Sequence, residues 1–155
     1  MTFEDWVNAV PLDIKGDPLW RMEIYRLSLF TIDLAWHDVS KLIKDNRTIS
    51  LADQLNRAVG SISANIAEGY SRQSGRDQAR FYEYALGSAR ETRNWYYQGR
   101  HVVTEIVADH RMGLMTQIIR LLLAIIPAQR GNKLEEEPVT YNSTPNELLH
   151  HPPMT

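Results

Sequence analysis

The run Ser50-Leu51-Ala52-Asp53-Gln54-Leu55-Asn56-Arg57-Ala58-Val59-Gly60-Ser61-Ile62-Ser63-Ala64-Asn65-Ile66-Ala67-Glu68-Gly69-Tyr70 decides the fold class. Its large apolar side chains, Leu51, Leu55, Val59, Ile62 and Ile66, recur at three- and four-residue spacing, which makes one stripe on a helix of 3.6 residues per turn. Ser50, followed three residues later by Asp53, is a variant of the capping box and predicts the helix start. The back of the helix is small and uncharged (Gly60, Ser63, Ala64, Ala67 and Ser71), so a neighbour can approach it closely.

Outward from this run the period stays helical from Leu19 to Arg130, with no strand-like alternation bounded by turn residues. A preceding helix is predicted from about Leu19, just after Asp17-Pro18, to Lys44. Ser71 to Gly75 form a connection, a third helix runs from about Arg76 to Ala108, and a fourth starts with Asp109 as N-cap and ends near Pro127 and Gly131. Long helices joined by short loops run antiparallel to their neighbours, so the predicted fold is all-α, an up-down four-helix bundle over residues 19–130. Residues 1–18 form an N-terminal extension. Residues 131–155 are acidic and hold four of the seven prolines, so this tail is expected to be largely disordered.

Two of the helices carry more apolar surface than one core needs. Helix 1 has Trp20, Leu27, Phe30 and Leu34 on one face and Tyr25, Ile32, Trp36, Val39 and Ile43 on nearly the opposite one. Helix 4 has Met112, Met115, Ile119, Leu122 and Ile126 on one face, with Leu114, Ile118, Leu121 and Ile125 beside or behind it. Surplus apolar faces predict a homo-oligomer, with helices 1, 2 and 4 as contributors. The alternative is a monomer whose loops and tail cover them.

Seventeen basic against nineteen acidic side chains among 155 residues leave a net charge of −2, so any nucleic-acid surface must be local. Residues 54–100 supply it: seven bases, all arginine, face four acids. On helix 3 the inner stripe is Phe81, Ala85, Ser88, Ala89, Thr92, Tyr96, Gly99 and Val103, whereas the outer arc carries Arg76, Glu83, Arg90, Arg93, Tyr97 and Arg100. Guanidinium forks suit phosphate oxygens and an aromatic ring suits a base, which makes Arg76, Arg90, Arg93, Tyr97 and Arg100 the nucleic-acid-binding candidates. A solvated face laced with local ion pairs is the rival reading.

Other chemistries are excluded or weak. With no cysteine there are no disulfides, thiolate metal sites or cysteine nucleophiles. A di-iron bundle needs Glu-x-x-His on two helices, and that tetrapeptide occurs once, at Glu147 to His150 in the tail, so a di-iron bundle is ruled out; no phosphate loop, zinc-protease motif or nucleophile elbow is present. His101 and Glu105, one helical turn apart, are read as a partly exposed pair rather than metal ligands. No catalytic residue, metal or cofactor is expected. The apolar stretch Leu114 to Ile126 is too short for a bilayer and carries Arg120, and the N-terminus has no secretion pattern, so a cytoplasmic protein without a membrane partner is expected.

The run above, continued by Arg72 and by Phe81-Tyr82-Glu83-Tyr84-Ala85-Leu86-Gly87-Ser88-Ala89-Arg90-Glu91-Thr92, resembles the four-helix bundle protein family known as the 23S rRNA intervening-sequence proteins. Asn65 to Gly69, Arg72, Ala85, Gly87, Ser88 and Glu91 fit its pattern in order and spacing, over about Leu19 to Arg130. The resemblance implies an antiparallel bundle assembled into a homopentameric ring, without enzymatic activity. Family members are similar to the accessory variability determinant of diversity-generating retroelements, a basic ring that binds RNA and a reverse transcriptase. It therefore implies RNA or DNA and a reverse transcriptase as partners. A protein-binding scaffold without nucleic acid is the alternative.

The polar signature Asn65, Glu68, Gly69, Arg72, Ser88 and Glu91 has a structural reading. Asn65, Glu68 and Ser61 on helix 2 would meet Ser88, Glu91 and Trp95 on helix 3. Asn65 and Glu68 would bond the Ser71 to Gly75 turn, and Arg72 would neutralise Glu68 or Glu91. A catalytic Glu68 and Glu91 pair would need a substrate cleft that no spacing here supplies.

Overall fold

The computed structural model describes residues 2–130 and 145–155. Among the described residues there are seven α-helices and no strand: α1 (Phe3–Ala9), α2 (Leu12–Lys15), α3 (Glu23–Leu42), α4 (Ile49–Tyr70), α5 (Gly75–Val103), α6 (Glu105–Arg130) and α7 (Pro145–His150). The four long helices α3 to α6 are the four expected. They pack side by side, α5 between α4 and α6, with α3 against both α4 and α6.

The helix ends differ from expectation for local reasons. Pro18–Arg21 is a separate 3-10 turn capped by Asp17, whose carboxylate accepts from the Leu19 N–H at 2.8 Å, and α3 proper starts only at Glu23. Ser50 is not the cap of α4. Thr48 holds that position, with its carbonyl accepting from the Ala52 N–H at 2.8 Å. The Thr48 hydroxyl instead donates back to the Leu42 carbonyl at 2.7 Å, closing the end of α3. Asp109 is likewise interior to α6. The break falls at Thr104, whose φ of 93° lies in the left-handed region that a β-branched residue rarely adopts. Thr104 ends α5 by donating its N–H to the Arg100 carbonyl and starts α6 by accepting from the Val107 and Ala108 amides. This break removes the helical relation expected between His101 and Glu105, and among the described residues no group of three or more ligands could hold a metal.

Close helix approach depends on small residues. A Cβ on Gly69 would sit 2.7 Å from the Tyr82 ring and 3.0 Å from the Phe81 Cβ, so only glycine lets the end of α4 meet the start of α5. Further along, Ser61 meets Ser88 at 3.0 Å, and a Cβ on Gly99 would lie 3.2 Å from Leu42 and 3.4 Å from Leu51. The core is continuous with the inner stripes read from the sequence, including Leu27, Phe30, Leu34, Leu55, Val59, Ile62, Ile66, Ala85, Ala89, Tyr96, Met115, Ile119 and Leu122.

The described parts of the chain ends pack against the long helices. Trp6 on α1 is buried, stacks on Phe3, meets the rings of Trp20 and Phe30 at a tilt, and donates its indole N–H to Asp33 at 2.5 Å. The extension is thus part of the core. Most of the expected disordered tail, residues 131–144, lies outside the described residues. The remainder includes α7, whose Leu148 is buried over Gly113 of α6. Leu114 and Ile118, from the second stripe expected to be spare on α6, are buried in the same core cluster as Trp6 and Leu148, while Leu121 and Ile125 are only partly buried. Over its full 26 residues α6 is long and apolar enough to cross a membrane, which the shorter Leu114 to Ile126 stretch was not, but here it packs as a core helix and carries the buried polar residues His110, Arg111 and Gln117.

Because Trp6 fills space shared with Trp20 and Phe30, Trp6→Ala should lower stability by about 3 kcal/mol, read as a shift of the urea midpoint at unchanged slope. An unpacked extension would leave the midpoint where it was.

Candidate nucleic-acid interface

The outer arc of α5 splits into two basic depressions. Arg90, Arg93, Asn94, Tyr97 and Met112 line an open one of about 350 Å³. Arg93 is steadied there by donating to the Thr116 hydroxyl of α6 at 3.3 Å. Arg100 donates to the Tyr97 carbonyl at 2.6 Å and lies over the exposed Tyr97 ring, 4.1 Å from its centroid. The structure therefore brings Arg90, Arg93, Tyr97 and Arg100 together. Arg76 is not with them. It lies near the other end of α5, where Ser74, Arg76, Asp77, Arg80 and Arg130 line a depression of about 500 Å³.

Sequence reasoning missed three members of this surface. Arg80 bonds the Tyr84 hydroxyl at 2.8 Å and lies 5.7 Å from its ring centroid, and Arg130 of α6 reaches across to Glu83 at 2.7 Å. The signal was available for the first two: Arg80 and Tyr84 stand four residues apart, one above the other on a helix. Nothing in the spacing along α5 could have brought in Arg130.

The polar signature is engaged in structure. Asn65 donates to the Ser61 carbonyl at 2.8 Å and hydroxyl at 2.9 Å, and Ser88 donates to the Ser61 hydroxyl, so the signature does meet across α4 and α5. Asn65 does not bond the Ser71 to Gly75 turn, because its amide is one turn above Ser61 and is held there. That turn is tied instead by Gln78, which donates to the Arg72 carbonyl at 2.8 Å. Arg72 pairs with Glu68, as expected, and lies over the Phe81 ring. Glu91 accepts from the Trp95 indole at 3.1 Å. Glu68 and Glu91 are both exposed and separately engaged, by Arg72 and by Trp95.

Behind this face lies a polar cluster that the sequence reading did not find. Asp38 and Arg111 are both fully buried and bond at 2.7 Å (Nε to Oδ2) and 3.3 Å (Nη2 to Oδ1). The Tyr96 hydroxyl donates to Asp38 at 2.9 Å, and Arg111 also donates to the Pro153 carbonyl at 2.9 Å. Arg111 has only donors, so its 2.9 Å contact makes His110 Nδ1 an acceptor and leaves the proton on Nε2, which donates to the Leu148 carbonyl at 2.6 Å. Burial pushes the Tyr96 hydroxyl well above its ordinary value. Burial, against the opposing Leu148 bond, also holds the His110 imidazole down to about 4.

A family model described as 23S rRNA-intervening sequence protein matches residues 21–124. No curated protein matches. Among solved structures, the chain is similar to a protein of unknown function from the S23 ribosomal protein family of Bacteroides thetaiotaomicron, with 26% identity and a TM-score of 0.62, over 66% of this chain and 97% of that one. About a third of this chain thus has no counterpart in that protein.

Two measurements check the buried cluster. Asp38→Asn should lower stability by about 3–5 kcal/mol by leaving the guanidinium unpaired, while Asp38→Leu with Arg111→Met should recover much of that loss. His110 stays neutral in the folded chain to about pH 4 but takes up a proton near pH 6.5 when unfolded, so stability should fall as pH drops from 6.5 towards 4, by about 2 kcal/mol. Urea midpoints across that window should decline less for His110→Gln than for the parent.

Proposed function

The chain belongs to the 23S rRNA-intervening sequence protein family, and from that premise we propose that it is a non-enzymatic, cytoplasmic, self-associating helical bundle that binds RNA through the outer face of α5. The observation that carries this reading is the convergence of Arg90, Arg93 and Tyr97 on one open depression, with Arg100 stacked on the same tyrosine. Guanidinium groups beside an exposed ring offer both phosphate and base contacts. The names of the family and of its solved relative refer to ribosomal RNA and to a ribosomal protein family, which agrees with an RNA ligand. An accessory role beside a reverse transcriptase rests on the resemblance alone.

In this reading α3 to α6 form an antiparallel up-down four-helix bundle, supported by the opposed registers of α4 on α5 (Gly69 at Tyr82, Gly99 at Leu51) and of α5 on α6 (Arg93 at Thr116, Glu83 at Arg130). Self-association, to a pentamer on the resemblance, would use the face of α3 that stays open: Trp36 is 70% and Ile43 53% exposed, with Ile32 and Val39 half-buried between them. Among the described residues α6 contributes less to such an interface than its sequence suggests, since the chain's own ends help to cover it.

Titration of labelled RNA across a salt series should show affinity falling steeply with salt, because each phosphate contact releases counterions. Charge reversal at Arg90, Arg93 and Arg100 should abolish binding while sedimentation still reports the parent oligomer. Salt-independent binding, or reversal without effect, would remove the α5 face from the reading.

A further inference from the structure

Three arginine and aromatic pairs are laid out along the start and outer side of α5: Arg72 with Phe81, Arg80 with Tyr84, and Arg100 with Tyr97. Tyr84 and Tyr97 are 46% and 54% exposed, so each presents ring surface to solvent while a guanidinium beside it limits its motion. An exposed tyrosine held this way is a ready platform for a base that is not already stacked in a duplex. Between the two tyrosines lies Gly87, and a Cβ built there meets nothing within 4 Å. Glycine inside a helix is less favourable than alanine, and at this position no packing contact requires it. Its effect is to leave the helix backbone bare midway along the track.

Arg80, Tyr84, Gly87, Arg90 and Tyr97 follow one another at three-, four- and seven-residue steps, which draws a ridge slanting slowly across the exposed side of a single helix. The ridge joins the two basic depressions. From Arg80 to Tyr97 it spans 17 residues, roughly 25 Å at the helical rise. Three carboxylates stand along it: Asp77 shares the depression of Arg76 and Arg80, Glu83 is paired with Arg130, and Glu91 accepts from the Trp95 indole.

Resting on the RNA-binding reading above, we propose that the ligand of α5 is a single strand that runs along this ridge, stacking unpaired bases on Tyr84 and Tyr97 with its backbone set against Arg76, Arg80, Arg90 and Arg93. At the ~3.4 Å rise of a stacked strand the track holds about seven nucleotides, and fewer of an extended one. A duplex keeps its bases stacked inside and would leave both tyrosines without a partner.

The test uses the full chain with a fluorescent uridine octamer, the matching deoxyuridine octamer and a blunt twelve-base-pair RNA duplex. The octamers are expected to bind at least tenfold more tightly than the duplex, and a preference between the two octamers assigns RNA or DNA. Tyr84→Leu with Tyr97→Leu should weaken octamer binding about tenfold or more while the dependence on salt keeps its slope, since no phosphate contact is lost. Gly87→Leu should weaken it as well, and far-ultraviolet circular dichroism with thermal melts confirms that both variants fold. Equal binding of duplex and octamer, or tyrosine variants that bind as the parent does, overturns the single-strand track and leaves an RNA surface that reads phosphates only. Absence of binding to all three probes overturns the RNA-binding reading itself.

Discussion

One buried ion pair sets the register of the whole chain. Asp38 comes from α3, Tyr96 from α5 and Arg111 from α6, and the Pro153 carbonyl comes from the C-terminal segment, so four parts of the chain meet around two charges withdrawn from water. Such a pair adds little net stability, because desolvation offsets most of the attraction, but leaving either member alone is severely unfavourable. A slip of α6 by one turn against α3 would carry the Arg111 guanidinium about 5.4 Å along the helix axis, out of bonding reach of Asp38. Apolar packing tolerates neighbouring registers of similar energy, whereas this pairing permits one.

The same cluster explains why the chain ends belong to the fold. His110 and Arg111 are neighbours on α6, and both bond carbonyls of the C-terminal segment, Leu148 and Pro153. Those bonds seat α7 so that Leu148 fills the space above Gly113. On the other side Trp6 ties α1 to α3 through Asp33. The family pattern spans residues 21–124, so Trp6 and Leu148, which contribute to the core, lie outside it. Apolar surface that the sequence counts as surplus on α6 is partly satisfied within one molecule, and what remains open is concentrated on α3 around Trp36.

How much of this was legible follows from which interactions are local. Periodicity located all four long helices and most of the core, because burial of a stripe leaves a mark at every third or fourth residue. Helix boundaries were less legible: Ser50 and Asp109 are good caps by type, yet Thr48 and Thr104 hold those positions through bonds to Leu42, Arg100 and Ala108 that depend on how the chain turns. The meeting of Ser61, Asn65 and Ser88 was readable, since facing flanks of adjacent helices follow from phase. The Asp38 and Arg111 pair had a signal that was passed over. Asp38 stands four residues from both Leu34 and Leu42, and Arg111 four from both Val107 and Met115, so each interrupts an apolar stripe and requires a partner. What no spacing could supply was the docking of α7 or the reach of Arg130 to Glu83, which depend on the path of distant segments.

The two faces of α5 are linked by the same steric logic. Ala85, Ala89, Thr92 and Gly99 let α4 and α6 close on its inner side between the large buried side chains of Tyr82, Leu86 and Tyr96. Close approach brings Thr116 and Arg130 of α6 to the flank of α5, where they steady Arg93 and engage Glu83. The small inner residues therefore do more than pack: they help to decide which charges on the outer side are neutralised and which stay open. With Glu83 paired to Arg130, arginines outnumber the remaining carboxylates along the ridge, and repetition of this field in an assembly would multiply the attraction for a polyanion without any new contact within a subunit.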